Sequence, residues 1–162
     1  MSQNEQMLFL FQYHFDTISH LMNQARKLSP EEYRDDFGIK WGSIHELLFH
    51  ILATDQGYRV ALKTGQRPPP LRSEDFTDLD SLQVLQESEQ SDWTTFLQEL
   101  DDSQVEEVVE MRAGPERIFR FPRWIIFQHV LLHGMQHQAD IAARLTEFGQ
   151  SPGDLDLVFY RG

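Results

Sequence analysis

Three histidines recur at every fourth position in the C-terminal third of the sequence: His129, His133 and His137. On a helix, side chains four residues apart share one face, with Cβ atoms about 5–6 Å apart, so two such imidazoles can converge on one ion. Residues 124–139 carry no charged side chain, which predicts partial burial of this segment. Buried imidazoles need partners, and a divalent metal ion would satisfy two of them. The spacing by itself also fits a polar stripe or hydrogen-bonded core histidines.

A third metal ligand would have to come from another helix, and His50 is the best candidate. It follows Leu47 and Leu48 on the side of its helix that is predicted to be buried. A core histidine that is only hydrogen-bonded is the alternative for this position. The pair His45-Glu46 resembles the start of a zinc-protease helix, but the next histidine is five residues on and about 140° around the helix, so His-Glu-x-x-His is absent. The other two histidines are His14 and His20.

Other catalytic signatures are missing from the sequence. No Glu-x-x-His pair of a di-iron carboxylate bundle, no glycine-rich phosphate loop and no Gly-x-Ser-x-Gly elbow is present. The chain contains no cysteine, which excludes disulfides, thiolate ligands and a cysteine nucleophile.

Charge is distributed unevenly along the 162 residues. The formal net charge is −12, and residues 74–116 hold fourteen acidic residues against one basic residue, Arg112. Such a block repels phosphate, so we expect no nucleic-acid partner. The block itself is most simply a solvated helix face. Three arginines follow it, Arg117, Arg120 and Arg123; they either hold an anion or pair with these acids, and we favour ion pairing.

Hydrophobic periodicity and end signals predict four long helices, and hence an all-α four-helix bundle with one domain over residues 1–162. The helices are expected over residues 5–28, from Ser43 to Gly65, over roughly 78–100, and from Pro122 near the first helical position to Gly149 just past the end. A short helical turn is expected after Ser29. Val105–Met111 and Arg117–Phe121 are expected to form a small hairpin around Ala113-Gly114-Pro115. The thirteen-residue connection 65–77 is long enough to cross the bundle, so helices two and three need not be antiparallel.

The same patterns bear on location and assembly. The longest uncharged run, Trp124–Ala139, is too short and too polar to span a bilayer, and no basic lead precedes the first apolar stretch, so we expect a cytoplasmic protein with no membrane partner. Seven of the nine residues Met7–Phe15 are apolar, more than one core-facing stripe needs. This predicts a homodimer with helix one at the contact, unless Val105–Phe121 or Leu155–Phe159 covers the second face.

Two blocks of the sequence resemble the DinB/YfiT-like family of small metal-binding four-helix proteins. The first block is Ser43–Ala53, followed by Gly65 and the prolines at 68–70. The second is His129–Ile141, closing with Leu145, Gly149, Pro152, Asp154 and Leu155–Tyr160. Together with the order of the helices, the resemblance covers essentially the whole chain.

The resemblance implies a bundle in up–down–down–up order and a metal site made of His50, His133 and His137. It places His129 beside the ligands, one turn earlier, and Asp140 is positioned to accept a hydrogen bond near the site. One departure stands out: relatives often continue the last histidine with Arg-Gly-Gln, whereas this sequence has Gln138-Ala139-Asp140.

For function, the resemblance implies a divalent ion (zinc, nickel or iron) that activates a low-molecular-weight thiol for transfer to a small-molecule electrophile. Three imidazoles leave coordination positions open, unlike a closed structural site. A metal-dependent hydrolase is chemically similar and stays open. A non-catalytic metal-binding or stress-response interaction protein is the alternative outside the enzymes. Many family members are homodimers, which agrees with the expectation for helix one.

Overall fold

Four long helices dominate the computed structural model, which describes residues 1–38 and 42–161. The long helices are α1 (Gln3–Ala25), α3 (Ile44–Thr64), α4 (Leu79–Gln98) and α6 (Arg123–Glu147). Two short helices, α2 (Pro30–Arg34) and α5 (Asp102–Glu106), and two strands, β1 (Val108–Arg112) and β2 (Ile118–Pro122), lie between them, with 3-10 turns at Ser73–Asp75 and Leu157–Phe159. The predicted all-α four-helix bundle and its hairpin are confirmed.

Local hydrogen bonds explain where the helices begin and end. Five of the six helices start with a capping box, as at Ser43, whose Oγ accepts from the Glu46 amide while its own amide donates to Glu46 Oε2. Gly65 ends α3 with a φ of 75°, a left-handed conformation that glycine adopts without strain. Gly149 does the same after α6, with a φ of 75°.

One boundary prediction before α6 is wrong. Val105 belongs to α5 and not to a strand, because Asp101 and Gln104 form a capping box that starts a helical turn there. Pro122, expected near the first helical position, is the last residue of β2 and the N-cap of α6, directly before the first helical residue, Arg123. The two strands pair antiparallel with Glu110 opposite Arg120.

Contacts between the helices establish the order of the bundle. α1 packs on α4 and α6, and α3 packs on the same two helices. Asn4 bonds to Leu97 and Arg26 to Asp80, so α1 and α4 are antiparallel. His45, early in α3, bonds to Phe76 just before α4, and Arg59, late in α3, pairs with Glu89 in the middle of α4, so these two helices are parallel. α3 and α6 are antiparallel, which completes the up–down–down–up arrangement, and the long second connection accounts for it.

The core is aromatic at the α1–α4–α6 contact. Phe11 stacks on Trp93 with ring centroids 4.4 Å apart, and Phe127 meets Phe11 edge-on at 6.0 Å. Burial of such rings stabilises the fold through apolar area and favourable ring geometry. None of the helices in the described ranges combines the length and hydropathy that crossing a membrane requires.

The C-terminal segment covers part of the second apolar face of α1. Tyr160 packs against Phe9 and Tyr13 with ring centroids 5.4 Å away in each case, and the Tyr13 hydroxyl donates to the Leu155 carbonyl at 2.5 Å. This is the arrangement named above as the alternative explanation for the apolar richness of helix one. The homodimer stays a prediction.

Candidate metal centre

The antiparallel packing of α3 and α6 brings three histidines together. His50 faces His133 and His137, and one ring nitrogen from each lies within 4.8 Å of the other two. The Nε2 atoms of His50 and His133 are 3.0 Å apart. Metal–nitrogen bonds of about 2.0–2.1 Å in a tetrahedral site require nitrogens about 3.3 Å apart, so small side-chain rotations would bring all three onto one ion.

Burial and exposure leave this cluster open on one side. His137 is buried, whereas His50 and His133 are half-buried. His133 Nδ1 is shielded from solvent and has no hydrogen-bond partner among the described residues. The donor set, three imidazoles, suits zinc, nickel or iron better than magnesium or calcium, which prefer oxygen ligands. The residues present therefore fit a divalent transition-metal ion.

Electrostatics keep the cluster ready to bind a cation. Burial, together with the neighbouring His137 and His50, which disfavour a second positive charge, lowers the pKa of His133 to about 4. At neutral pH the imidazole of His133 is consequently uncharged and offers a lone pair. No protonation cost at that ring opposes the binding of an ion above about pH 5.

His129 and Asp140 lie beside the three histidines and not among them. The His129 ring stacks on His133 with centroids 6.0 Å apart and meets Tyr58 edge-on at 5.0 Å. Asp140 Oδ2 is 3.6 Å from His137 Nδ1, near enough to orient that ring electrostatically but beyond an ordinary hydrogen bond. The structure thus places both residues next to the cluster, and their roles there stay predictions.

Sequence reasoning missed a buried polar network between α1, α3 and α6, the helix that carries His133 and His137. His14 Nε2 lies 2.9 Å from Asp55 Oδ2, and both side chains are almost completely buried. The Gln138 amide donates to His14 Nδ1 at 3.0 Å and also to the His14 carbonyl. Gln138 is one of the residues at which the sequence departs from the usual family pattern, and here it ties α6 to α1.

This network has defined proton positions. Because Gln138 donates to Nδ1, the proton of a neutral His14 sits on Nε2 and points at Asp55. Burial raises the pKa of Asp55, and the adjacent His14 opposes that rise. A signal for the network existed in the sequence: Gly134 stands in the middle of a helix, where glycine costs about 1 kcal/mol relative to alanine and so needs a packing reason. That reason is His14, which occupies the space a side chain would need.

Two further histidines have structural partners away from the cluster. The Tyr33 hydroxyl donates to His45 Nδ1 at 2.8 Å, which leaves the proton on Nε2 to be donated to the Phe76 carbonyl at 2.9 Å. His20 Nε2 donates to the Pro152 carbonyl at 2.7 Å. His45 therefore joins α3 to α2 and to the segment before α4, as expected for a histidine that is not a ligand.

The arginines before α6 follow the sequence prediction in two cases of three. Arg120 pairs with Glu110 at 2.7 Å and Arg123 with Glu107 at 3.1 Å. Arg117 contradicts the prediction of ion pairing, because no carboxylate lies within 4.0 Å of it in residues 1–38 and 42–161. It lies in the connection between β1 and β2, and the Glu110 carboxylate of β1 is already paired with Arg112 and Arg120.

Comparison with known proteins agrees with this architecture. YfiT from Bacillus subtilis, described as a probable metal-dependent hydrolase with an unusual four-helix bundle topology, superposes with a TM-score of 0.68 at 14% identity, over 92% of this chain and 90% of its own. The DinB-like protein YjoA from Bacillus subtilis gives 0.63 at 19% identity, over 89% and 92%. No curated protein matches the sequence significantly. The model of the DinB family matches residues 1–162, and the chain therefore belongs to the DinB family.

Proposed function

We propose that the protein is a metal-dependent enzyme in which His50, His133 and His137 hold one divalent ion: zinc, nickel or iron. The observation that carries this proposal is the convergence of three ring nitrogens within 4.8 Å from two antiparallel helices. The lowered pKa of His133 supports it, since an uncharged imidazole is the form that binds metal.

An ion held by three nitrogens would keep room for an exchangeable ligand, and its Lewis acidity would lower the pKa of a bound water or thiol. The half-buried His50 and His133 leave a side from which a small molecule can approach. On the chain's own side, Asp140 would orient His137, and the His14 network would hold α6 at the correct distance from α1.

The reaction we favour is the transfer of a low-molecular-weight thiol to a small-molecule electrophile, which rests on the resemblance to family members of that activity. A metal-dependent hydrolase is the second candidate, and it is supported by the description of YfiT, a protein of the same fold. A non-catalytic role, in which the ion ties α3 to α6, is the candidate outside the enzymes.

Metal content and turnover test these candidates separately. Full-length protein is dialysed against equimolar zinc, nickel and iron(II) under anaerobic conditions, and bound metal is measured by plasma mass spectrometry. We expect one ion per chain in the wild type. The affinity for the ion should fall by at least about tenfold in His50→Ala, His133→Ala and His137→Ala. His20→Ala, which removes a histidine far from the cluster, serves as the matched control. Full metal content in all three ligand variants would refute the site.

Turnover is then measured on the loaded protein with a panel of small thiols and 1-chloro-2,4-dinitrobenzene, and in parallel with 4-nitrophenyl esters and no thiol. Thiol consumption that depends on the metal supports the transferase, and ester hydrolysis that depends on the metal supports the hydrolase. Stoichiometric metal without turnover in either panel would favour the non-catalytic role.

A further inference from the structure

A pocket of about 450 Å³ lies beside the three histidines, between the end of α3, the hairpin and the start of α6. Its wall is largely apolar and includes Phe119, Phe121 and Ile125, which are 42%, 39% and 37% exposed. The two phenylalanine rings lie nearly parallel, at 15°, with centroids 6.3 Å apart. Exposed apolar side chains that line a concavity of this size are typical of a small-molecule site.

The backbone fixes the arginines at the rim of this pocket. After Gly65 ends α3, the chain pairs with β1: the Arg67 amide donates to the Arg112 carbonyl, and the Arg112 amide donates to the Gly65 carbonyl, each at 3.0 Å. The Arg67 guanidinium lies 4.4 Å above the Tyr58 ring, a contact that orients it. Arg67 is therefore held in place before any ligand binds.

Two of the pocket's three arginines have no carboxylate partner. Arg112 pairs with Glu110 at 2.7 Å, whereas in residues 1–38 and 42–161 no carboxylate lies within 4.0 Å of Arg67 or Arg117. The chain has 26 acidic residues against 14 lysines and arginines, so unpaired arginines around one pocket are not a consequence of composition. A guanidinium presents a planar fork of donors that matches a carboxylate in two parallel hydrogen bonds.

The pocket adjoins the histidine cluster through His129 and Tyr58, which line it. The His129 ring is stacked on the ring of His133, 6.0 Å away. His129 therefore lies between the pocket, which it lines, and His133 of the cluster. This relation gives His129 a role at the junction of the two sites.

We propose that this pocket binds a small molecule with an aromatic or branched aliphatic body and one carboxylate group. Phe119, Phe121 and Ile125 cover the body, and Arg67 and Arg117 bind the carboxylate. The other end of the molecule passes His129 toward the metal centre. The direction of that reactive end rests on the proposed function, whereas binding of the carboxylate does not.

Two probes with the same phenylbutyl body, one ending in a carboxylate and one in a hydroxyl, test the proposal. 4-Phenylbutyrate and 4-phenylbutan-1-ol are titrated into the zinc-loaded full-length protein by calorimetry and ligand-observed NMR. We expect the acid to bind at least about tenfold more tightly than the alcohol, the effect of a charge-assisted hydrogen bond. The double variant Arg67→Gln/Arg117→Gln should abolish this preference. Arg120→Gln, on the same hairpin but outside the pocket, should keep it.

A carboxylate can also bind a metal ion directly, and His133→Ala distinguishes binding at the metal from binding at the two arginines. The proposal expects the preference for the acid to survive in that variant, whether or not the metal is lost. Equal affinity for both probes, or a preference that disappears in His133→Ala while the arginine double variant retains it, would overturn the proposal. Phe119→Ala, an exposed change that the fold tolerates, should weaken both probes alike. Failure of the proposed function is read separately, from metal content and turnover.

Discussion

The packing of Gly134 against His14 leads to a quantitative prediction for Gly134→Ala. A Cβ atom at this position would lie 2.2 Å from His14 Cε1 and 2.7 Å from Nδ1, far inside contact distance. The imidazole has no free direction in which to move, because Asp55 and Gln138 hold its two nitrogens. Relief of the clash therefore requires α6 to shift or the buried network to break.

The size of the effect follows from opposing contributions. Breaking the two buried hydrogen bonds of His14 costs about 1–3 kcal/mol each, because the groups left behind stay away from water. Replacing a glycine in a helix interior by alanine returns about 1 kcal/mol. We expect Gly134→Ala to lower the free energy of unfolding by about 1–5 kcal/mol.

Gly57→Ala is the matched control, since it is the same change within a long helix where the nearest atom, on Arg67, is 3.9 Å from the added carbon. It should leave the free energy of unfolding unchanged or raise it by up to about 1 kcal/mol. Urea unfolding of the metal-free protein, followed by circular dichroism, measures both variants. The reasoning is refuted if Gly134→Ala is as stable as the wild type, or if it costs as much in a His14→Ala background, where the clash no longer exists.

Three further predictions concern the metal centre and assembly. His133 has a pKa of about 6.5 in the unfolded state and about 4 in the folded state, so the metal-free protein should lose stability as the pH falls from about 6.5 to 4. The urea midpoint should depend less on pH across this range in His133→Ala. An identical pH dependence in both proteins would contradict the assignment. Asp140→Asn should weaken metal binding by about tenfold in competition with a chromophoric chelator, and unchanged affinity would exclude an orienting role. Light scattering at micromolar concentration should give the mass of a homodimer, and a mass near 19.1 kDa at every concentration would exclude it.

The helices could be predicted because their determinants are local. A serine at the N-cap and a glutamate three residues on satisfy each other's backbone groups wherever the helix packs, as Ser43 and Glu46 do. Val105 is the exception: the sequence predicts a strand from this residue, whereas the capping box of Asp101 and Gln104 starts a helical turn that includes it. Local signals thus decide the elements, and they mislead where two of them compete within a few residues.

The candidate metal site likewise has one part that the sequence shows and one part that only the packing of the helices creates. The His133–His137 spacing is a property of one helix, and it is visible in the sequence. The sequence marks His50 only as the best of the remaining histidines, a choice that the family resemblance supports, because 83 residues separate it from His133 and only the antiparallel packing of α3 on α6 brings the two Nε2 atoms to 3.0 Å.

The sequence by itself determined the helices, the histidine spacing and the family; the tertiary structure decided which distant side chains meet. Asp55 and Gln138 are 41 and 124 residues from His14, so no periodicity links them, and their bonds exist only because three helices pack around one buried imidazole. The pocket beside His129 arises likewise where the end of α3 pairs with β1. Side chains of this kind are brought together by burial of the apolar faces, which acts over the whole bundle. The periodicity of one segment shows which of its faces is buried, but not which distant segment that face meets.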